Sequence, residues 1–270
     1  MKKRLSLLLL LFLCFATLVS AIPYESRSDQ SAYDRWGVWN VALVGTVAII
    51  LFSLIAVGAG AGLSEALKKV LFAALVATIL VATVYFIGTT IYKNVSAVTK
   101  GPVHWHLDFD IYNCNEKVNL LDPKGMSNKI GSSDFHEHND NRIHVEGPVI
   151  KHSDVNLRNF FAVIGGEFDK GILRVPTNNG MVEMNDGALC DGQPAKLQAF
   201  LFKISNPREH NEWVYTQEKL ENAPEYVMSA ESAIPPGDCV VFEFGPEKSS
   251  TENMCETYKV AVERGVLHGS

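Results

Sequence analysis

The chain has 270 residues, with 24 lysines and arginines against 30 aspartates and glutamates, a formal net charge of −6 and a sequence pI near 5.8. A chain this acidic lacks the basic footprint of a nucleic-acid binder, so nucleic acid is set aside as a partner. The averages conceal a division: residues 1–93 hold three long apolar runs, and nearly all the charge follows residue 100.

The first run follows Met1-Lys2-Lys3-Arg4, carries no charge from Leu5 to Ala21 and closes on Val19-Ser20-Ala21. A basic start, an apolar centre and small residues before a cut predict a secretory signal at 1–21, cleaved after Ala21. The alternative is an uncleaved first membrane helix, because 17 residues reach the lower limit for a span. Residues 22–40 read as a short polar outer segment. Val41 to Leu63 and Val70 to Tyr92 are each 23 residues without a charge. At about 1.5 Å rise per residue each crosses a hydrocarbon core of about 30 Å. With only SEALKK between them, they predict a transmembrane helical hairpin over 41–92. Trp36, Trp39 and Tyr92 fall where interfacial aromatics belong. Gly58, Gly60 and Gly62 are expected to let helices pack closely. An exported signal puts Lys68 and Lys69 inside, in agreement with the positive-inside rule, although Arg27 and Arg35 lie on the other side. Everything after about residue 93 is then extracytoplasmic, held to the cell membrane.

Residues 93–102 form a linker, and the remaining domain is expected over 103–266. HWHLDFDIY, residues 104–112, alternates strictly: Trp105, Leu107, Phe109 and Ile111 on one face, His104, His106, Asp108 and Asp110 on the other. RIHVE (142–146) is a second strand. A helix is predicted from Ser153-Asp154 to the Gly165-Gly166 stop. Further strands are expected at 171–175, 195–204, 212–216 and 239–244, with a PPGD turn at 235–238 before the last and a final helix from Ser250-Thr251 to Glu263. The fold class is α+β: signal peptide, two-helix hairpin, then a strand-rich domain with one or two helices. Of five cysteines, Cys14 leaves with the signal. Cys114, Cys190, Cys239 and Cys255 remain, and in an oxidising compartment they predict two disulfides with three pairings open. Four free buried thiols are the alternative. Asn94-Val95-Ser96 is a glycosylation sequon, relevant only in a host that glycosylates.

Six of the eight histidines fall between residues 104 and 152. They run His104-Trp-His106, His136-Glu-His138, then His144 and His152, interleaved with acids. Imidazole is a good ligand for late first-row metals, and residues i and i+2 of a strand point the same way. His104, His106, His136, His138 and His144 are therefore the candidate metal ligands. Asp108, Asp110 and Glu146 are candidate extra ligands or outer partners that orient the rings. With no thiolate beside them, copper(II) or zinc(II) are the expected ions. A single HxH is weak, HEHND could be a polar loop, and His144 between Ile143 and Val145 could be a hydrogen-bonded structural residue. The clustering is what favours a metal. His152, His210 and His268 are expected to be unrelated. No HExxH helix and no GxSxG elbow occurs in the sequence.

HWHLDFDIYNC, FHEHNDNRIHVEG and LRNFFAVIGGEF together resemble a group of uncharacterised membrane-anchored envelope proteins of bacteria and archaea, over about residues 103–205 and more weakly 234–245. The likeness falls on His104, His106, His136, His138, His144 and Glu146 and implies a site without naming a reaction. The first HxH also resembles the first cupin motif, with Asp110 in place of its glutamate and its glycine missing. PPGD resembles the second, but no histidine follows at its spacing.

Three functions stay open. A membrane-anchored metal-binding module would capture or present copper or zinc, the hairpin holding it near a second membrane protein. A disulfide-stabilised interaction subunit of a membrane assembly would use the histidines structurally. A metal-dependent enzyme would keep one coordination position open, with Glu137 or Glu146 as general base.

Overall fold

The computed structural model describes residues 37–126, 128–208, 212–228 and 237–270. The predicted signal, most of the outer segment, His210 and Pro235-Pro236 of the PPGD turn lie outside the described residues. The chain divides into two compact units, up to Tyr92 and from Lys93 to Ser270.

The first unit holds helix α1 (Val38–Ala59) and the start of helix α2 (Glu65–Ser96). Both are long and apolar enough to cross a membrane, over Asn40–Ala59 and Glu65–Ser96, with mean hydropathy 2.6 in each. Large apolar side chains face outward along them, among them Val57, Phe72, Val81 and Val84. α2 begins inside the expected link: the Ser64 hydroxyl accepts the Leu67 N–H at 3.2 Å, and Glu65 lies in the first turn. Gly60–Gly62 is a 3-10 turn, Gly60 has φ 54°, and no atom lies within 4 Å of a side chain added at Gly58, Gly60 or Gly62. Gly60 ends α1 where an L side chain would be strained.

The second unit is built on an open sheet of nine strands. Along β1 (Pro102–Asn113), β2 (Glu116–Lys117), β3 (Ile130–Gly131), β4 (Phe135–Glu137), β5 (Arg142–Pro148), β11 (Lys196–Ile204), β12 (Trp213–Lys219), β13 (Asp238–Gly245) and β14 (Leu267–Gly269), the order is β14-β12-β11-β13-β1-β5-β4-β3, with β2 on β1. A side meander of β6 (Glu167–Asp169), β7 (Ile172–Thr177) and β8 (Gly180–Asn185), and a short pair β9 (Leu189–Cys190) and β10 (Gln193–Pro194), stand apart from it. The described sheet has two edges and does not close, unlike a cupin barrel.

Alternation along β1 sorts the two faces. Trp105, Leu107, Phe109 and Ile111 enter an aromatic core with helix α3 (Leu157–Val163) and Phe242. The Phe160 ring lies 5.7 Å from Phe109 and 5.5 Å from Phe135, so α3 clamps β1 and β4 from beneath with β5 between them. α3 is shorter than expected because Asn156 caps it, accepting the Asn159 N–H at 2.9 Å, while His152–Val155 turns as 3-10 helix. On the other face a second core forms around Phe202, Val241 and Tyr258 of helix α4 (Glu256–Glu263). α4 also starts later than expected. The Thr251 hydroxyl and the Asn253 amide both bond the Glu243 carboxylate, and the Thr251 N–H bonds Gln217 at 2.9 Å, which commits this stretch to a loop. β14 was not foreseen; it pairs with β12 and carries the ordered chain past residue 266. Disulfides join Cys114 to Cys190 and Cys239 to Cys255.

A candidate metal centre on three strands

On the face opposite α3, register aligns the histidines. His106 on β1 pairs with His144 on β5, and His144 pairs with His136 on β4, so three imidazoles stand in one row across the sheet. The next row sets His104 against Glu146, and the row on the other side sets Asp108 against Arg142. Directly opposed residues stand about 5 Å apart, close enough for their rings to touch. The His144 ring centroid lies 4.7 Å from His106, 4.9 Å from His138, 5.5 Å from His136 and 6.1 Å from His104. The structure thus brings together all five predicted ligands, with His144 at the centre. Two groups form, His104–His106–His144 and His136–His138–His144, and in each one ligand nitrogen per residue lies within 4.8 Å of the others.

The turn between β4 and β5 is built from HEHNDN. Asn139 and Asn141 take left-handed backbone conformations, φ 66° and 54°, which asparagine tolerates better than most residues. Glu137 is buried, and its Oε1 accepts the N–H groups of Asp140 at 2.7 Å and Asn141 at 3.1 Å. Burial raises its pKa against the pull of those N–H groups. Its bonded oxygen holds the turn, which gives it a structural task beside the general-base role expected for it. At the outer edge, a side chain at Gly131 would meet the Phe135 carbonyl at 2.6 Å with φ at 111°, so only glycine lets β3 lie against β4 here.

The ring nitrogens divide by partner. His144 Nε2 lies 3.2 Å from Asp140 Oδ2. Burial disfavours the Asp140 carboxylate, but the hydrogen bond to His144 and the Arg142 charge outweigh it and hold the pKa below the usual value. A carboxylate only accepts, so Nε2 carries the proton and the lone pair sits on Nδ1. His138 Nδ1 meets the Asn128 carbonyl at 2.5 Å, which by the same logic leaves Nε2 with the lone pair. His106 Nε2 and His136 Nδ1 are buried without a hydrogen-bond partner among the described residues. Burial, then positive neighbours, lowers the pKa of both to about 4: His144, His104 and Arg142 around His106, and Lys129 beside His136. Both are neutral at pH 7, the form that ligates.

Not every predicted carboxylate serves this cluster. Glu146 does: its Oε1 lies 3.5 Å from His104 Nε2. Asp108 and Asp110 share the face, but their carboxylates go elsewhere, which corrects their expected role. Asp108 takes a fork from Arg142, 2.6 Å to Nε and 3.3 Å to the terminal nitrogen, and the Thr257 hydroxyl. Asp110 pairs with Lys117 at 2.7 Å. Asp140, not predicted as a partner, is the carboxylate that orients the central ring; its i−4 position before His144 was the available signal. His152 and His268 lie on a 3-10 helix and on β14 at the far edge of the sheet, outside the cluster. No known protein family matches this chain, and no curated protein or solved structure matches it.

A pH effect follows for the metal-free protein. His106 and His136 have native pKa values near 4 against an ordinary 6.5. Between those limits the unfolded chain binds more protons, so stability is full above about pH 6.5 and falls toward pH 4. For fully buried His136 the loss is on the order of 3 kcal/mol. Denaturation midpoints in the presence of a chelator, at pH 7 and pH 4.5, are expected to differ in that sense, and H136Q is expected to flatten the slope. An unchanged slope in the variant would remove His136 as the cause.

Proposed function

We propose that this chain is a membrane-anchored protein that captures copper(II) or zinc(II) on the extracytoplasmic side and presents it at the membrane surface, where a second membrane protein is the receiver. The supporting observation is the pair of buried, partnerless, neutral ring nitrogens on His106 and His136, flanking His144. A buried polar atom without a partner costs about 1–3 kcal/mol, and a cation bound in either group removes that cost at the ring it takes. Asp140, Glu146 and the Asn128 carbonyl each lie against one ring nitrogen of His144, His104 and His138, the kind of partner that sets tautomer and basicity at imidazole metal sites. The apolar helices α1 and α2 support the anchor, and two disulfides fit an oxidising compartment.

Three imidazoles per group is also the ligand count of catalytic zinc, so an enzyme with water on the fourth position is the second reading. It would need a concave pocket beside the ion, and the hollow lined by Thr257, Val260 and Arg264 of α4 is not lined by the histidines.

The test is metal content of the full-length protein purified in detergent, stripped with chelator and offered copper(II) or zinc(II) alone. About one ion per chain is expected, with H106A/H136A weakened about 100-fold or more. A wild-type protein that retains neither ion at micromolar concentration overturns the proposal.

A further inference from the structure

The two three-histidine groups differ in depth. One includes His104, whose side chain is 59% exposed; the other includes His136, only 1% exposed. Both require His144. Asp140 takes the Nε2–H of that ring, so a neutral His144 has one lone pair, on Nδ1, and completes one group at a time. Two divalent cations sharing this face would repel each other, and only Glu146 and Asp140 stand near enough to offset that charge.

We infer that the groups are alternative seats for a single ion: an exposed acquiring seat, His104–His106–His144, and a buried retaining seat, His136–His138–His144, with His144 common to both. This rests on the metal-binding function proposed above. Arrival begins at His104, the exposed member of that group. Retention follows as the ion, still held by His144, exchanges His104 and His106 for His136 and His138, a step that breaks two metal–nitrogen bonds and forms two, with no proton or electron moved. Transfer to a receiver runs the same exchange backward and offers the ion at His104.

The two seats have separable signatures in kinetics. Zinc(II) is added to chelator-stripped full-length protein in detergent, and stoichiometry, association rate and dissociation rate are read for wild type, H104A, H138A, H144A and H104A/H138A. Wild type is expected to take up one ion. H104A should still hold one ion but acquire it about tenfold more slowly, and H138A should acquire it at the normal rate but release it about tenfold faster. H144A should lose binding about 100-fold or more. The double variant, whose changes avoid the buried central ring, should match it and covers the case in which H144A fails to fold. Two ions per wild-type chain would overturn the alternative seats, and so would H104A or H138A alone being as damaging as H144A; both results would leave the metal-binding function standing. A wild type that binds no zinc(II) or copper(II) would remove that function, and the seats with it.

Discussion

Replacing Arg142 with methionine is expected to cost about 3 kcal/mol of unfolding free energy, the lower end of the range for breaking one side of a buried ion pair. The Asp108 side chain is 7% exposed and that of Arg142 is 32% exposed, so the methionine itself is tolerated and the cost falls on the stranded carboxylate. Asp108 would keep only the Thr257 hydroxyl. The pair lies one row along the sheet from His106 and His144, and it ties α4, through Thr257, to the strands that carry them. Chemical denaturation of the full-length protein in detergent checks the value. D108N/R142M should be closer to wild type than R142M alone, because no charge is then left buried and unpaired. If R142M lies within about 0.5 kcal/mol of wild type, as a surface substitution would, the pair does not bind the helix to the sheet.

Some of this arrangement was legible in residue order and some was not. Alternation in HWHLDFDIY predicted correctly that Trp105, Leu107, Phe109 and Ile111 go inward, because period two is a property of a single strand. Which strand lies beside β1 is a property of the whole chain. The row His106–His144–His136 depends on β5 pairing with β1 and β4 with β5, and no local pattern encodes that register. The same gap explains the acids. Asp108 and Asp110 looked like metal partners while their neighbours were unknown, but register delivers Arg142 to one and the β2 strand delivers Lys117 to the other. Asp140 was passed over because its turn had to form before its carboxylate could face His144.

Boundaries failed where long-range bonds override local preference. The stretch before α4 was expected to be helical, but Glu243 and Gln217 capture Thr251 and Asn253 first. The apolar spans were clear in outline because length and lack of charge need no partner, whereas Gly60 and Gly62 of the GAGAG run form a turn. The four late cysteines predicted two bridges, but the pairing among three is set by which strands the fold brings together.

Those bridges carry the largest expected stability effect. Cys114 and Cys190 close a loop of 76 residues, Cys239 and Cys255 one of 16. Loop-closure entropy gives about 4.5 kcal/mol for the first and about 3 kcal/mol for the second. For a domain stable by about 5–15 kcal/mol these are large shares. C114A/C190A is therefore expected to lower the unfolding free energy most, with C239A/C255A next, each read from denaturation curves under non-reducing conditions. Equal losses would show that native-state geometry, not loop length, governs the effect. The shorter bridge has a second consequence. Cys239 is the strand neighbour of Asp108, and Cys255 precedes α4, whose Thr257 holds the same carboxylate. Bridge and ion pair thus pin one helix to one place on the sheet. C239A/C255A combined with R142M should lose less than the sum of the separate costs, because once either tie is gone the other restrains a helix already partly free. C114A/C190A, anchored at the far end of β1 and in the β9–β10 pair, should add to R142M without coupling.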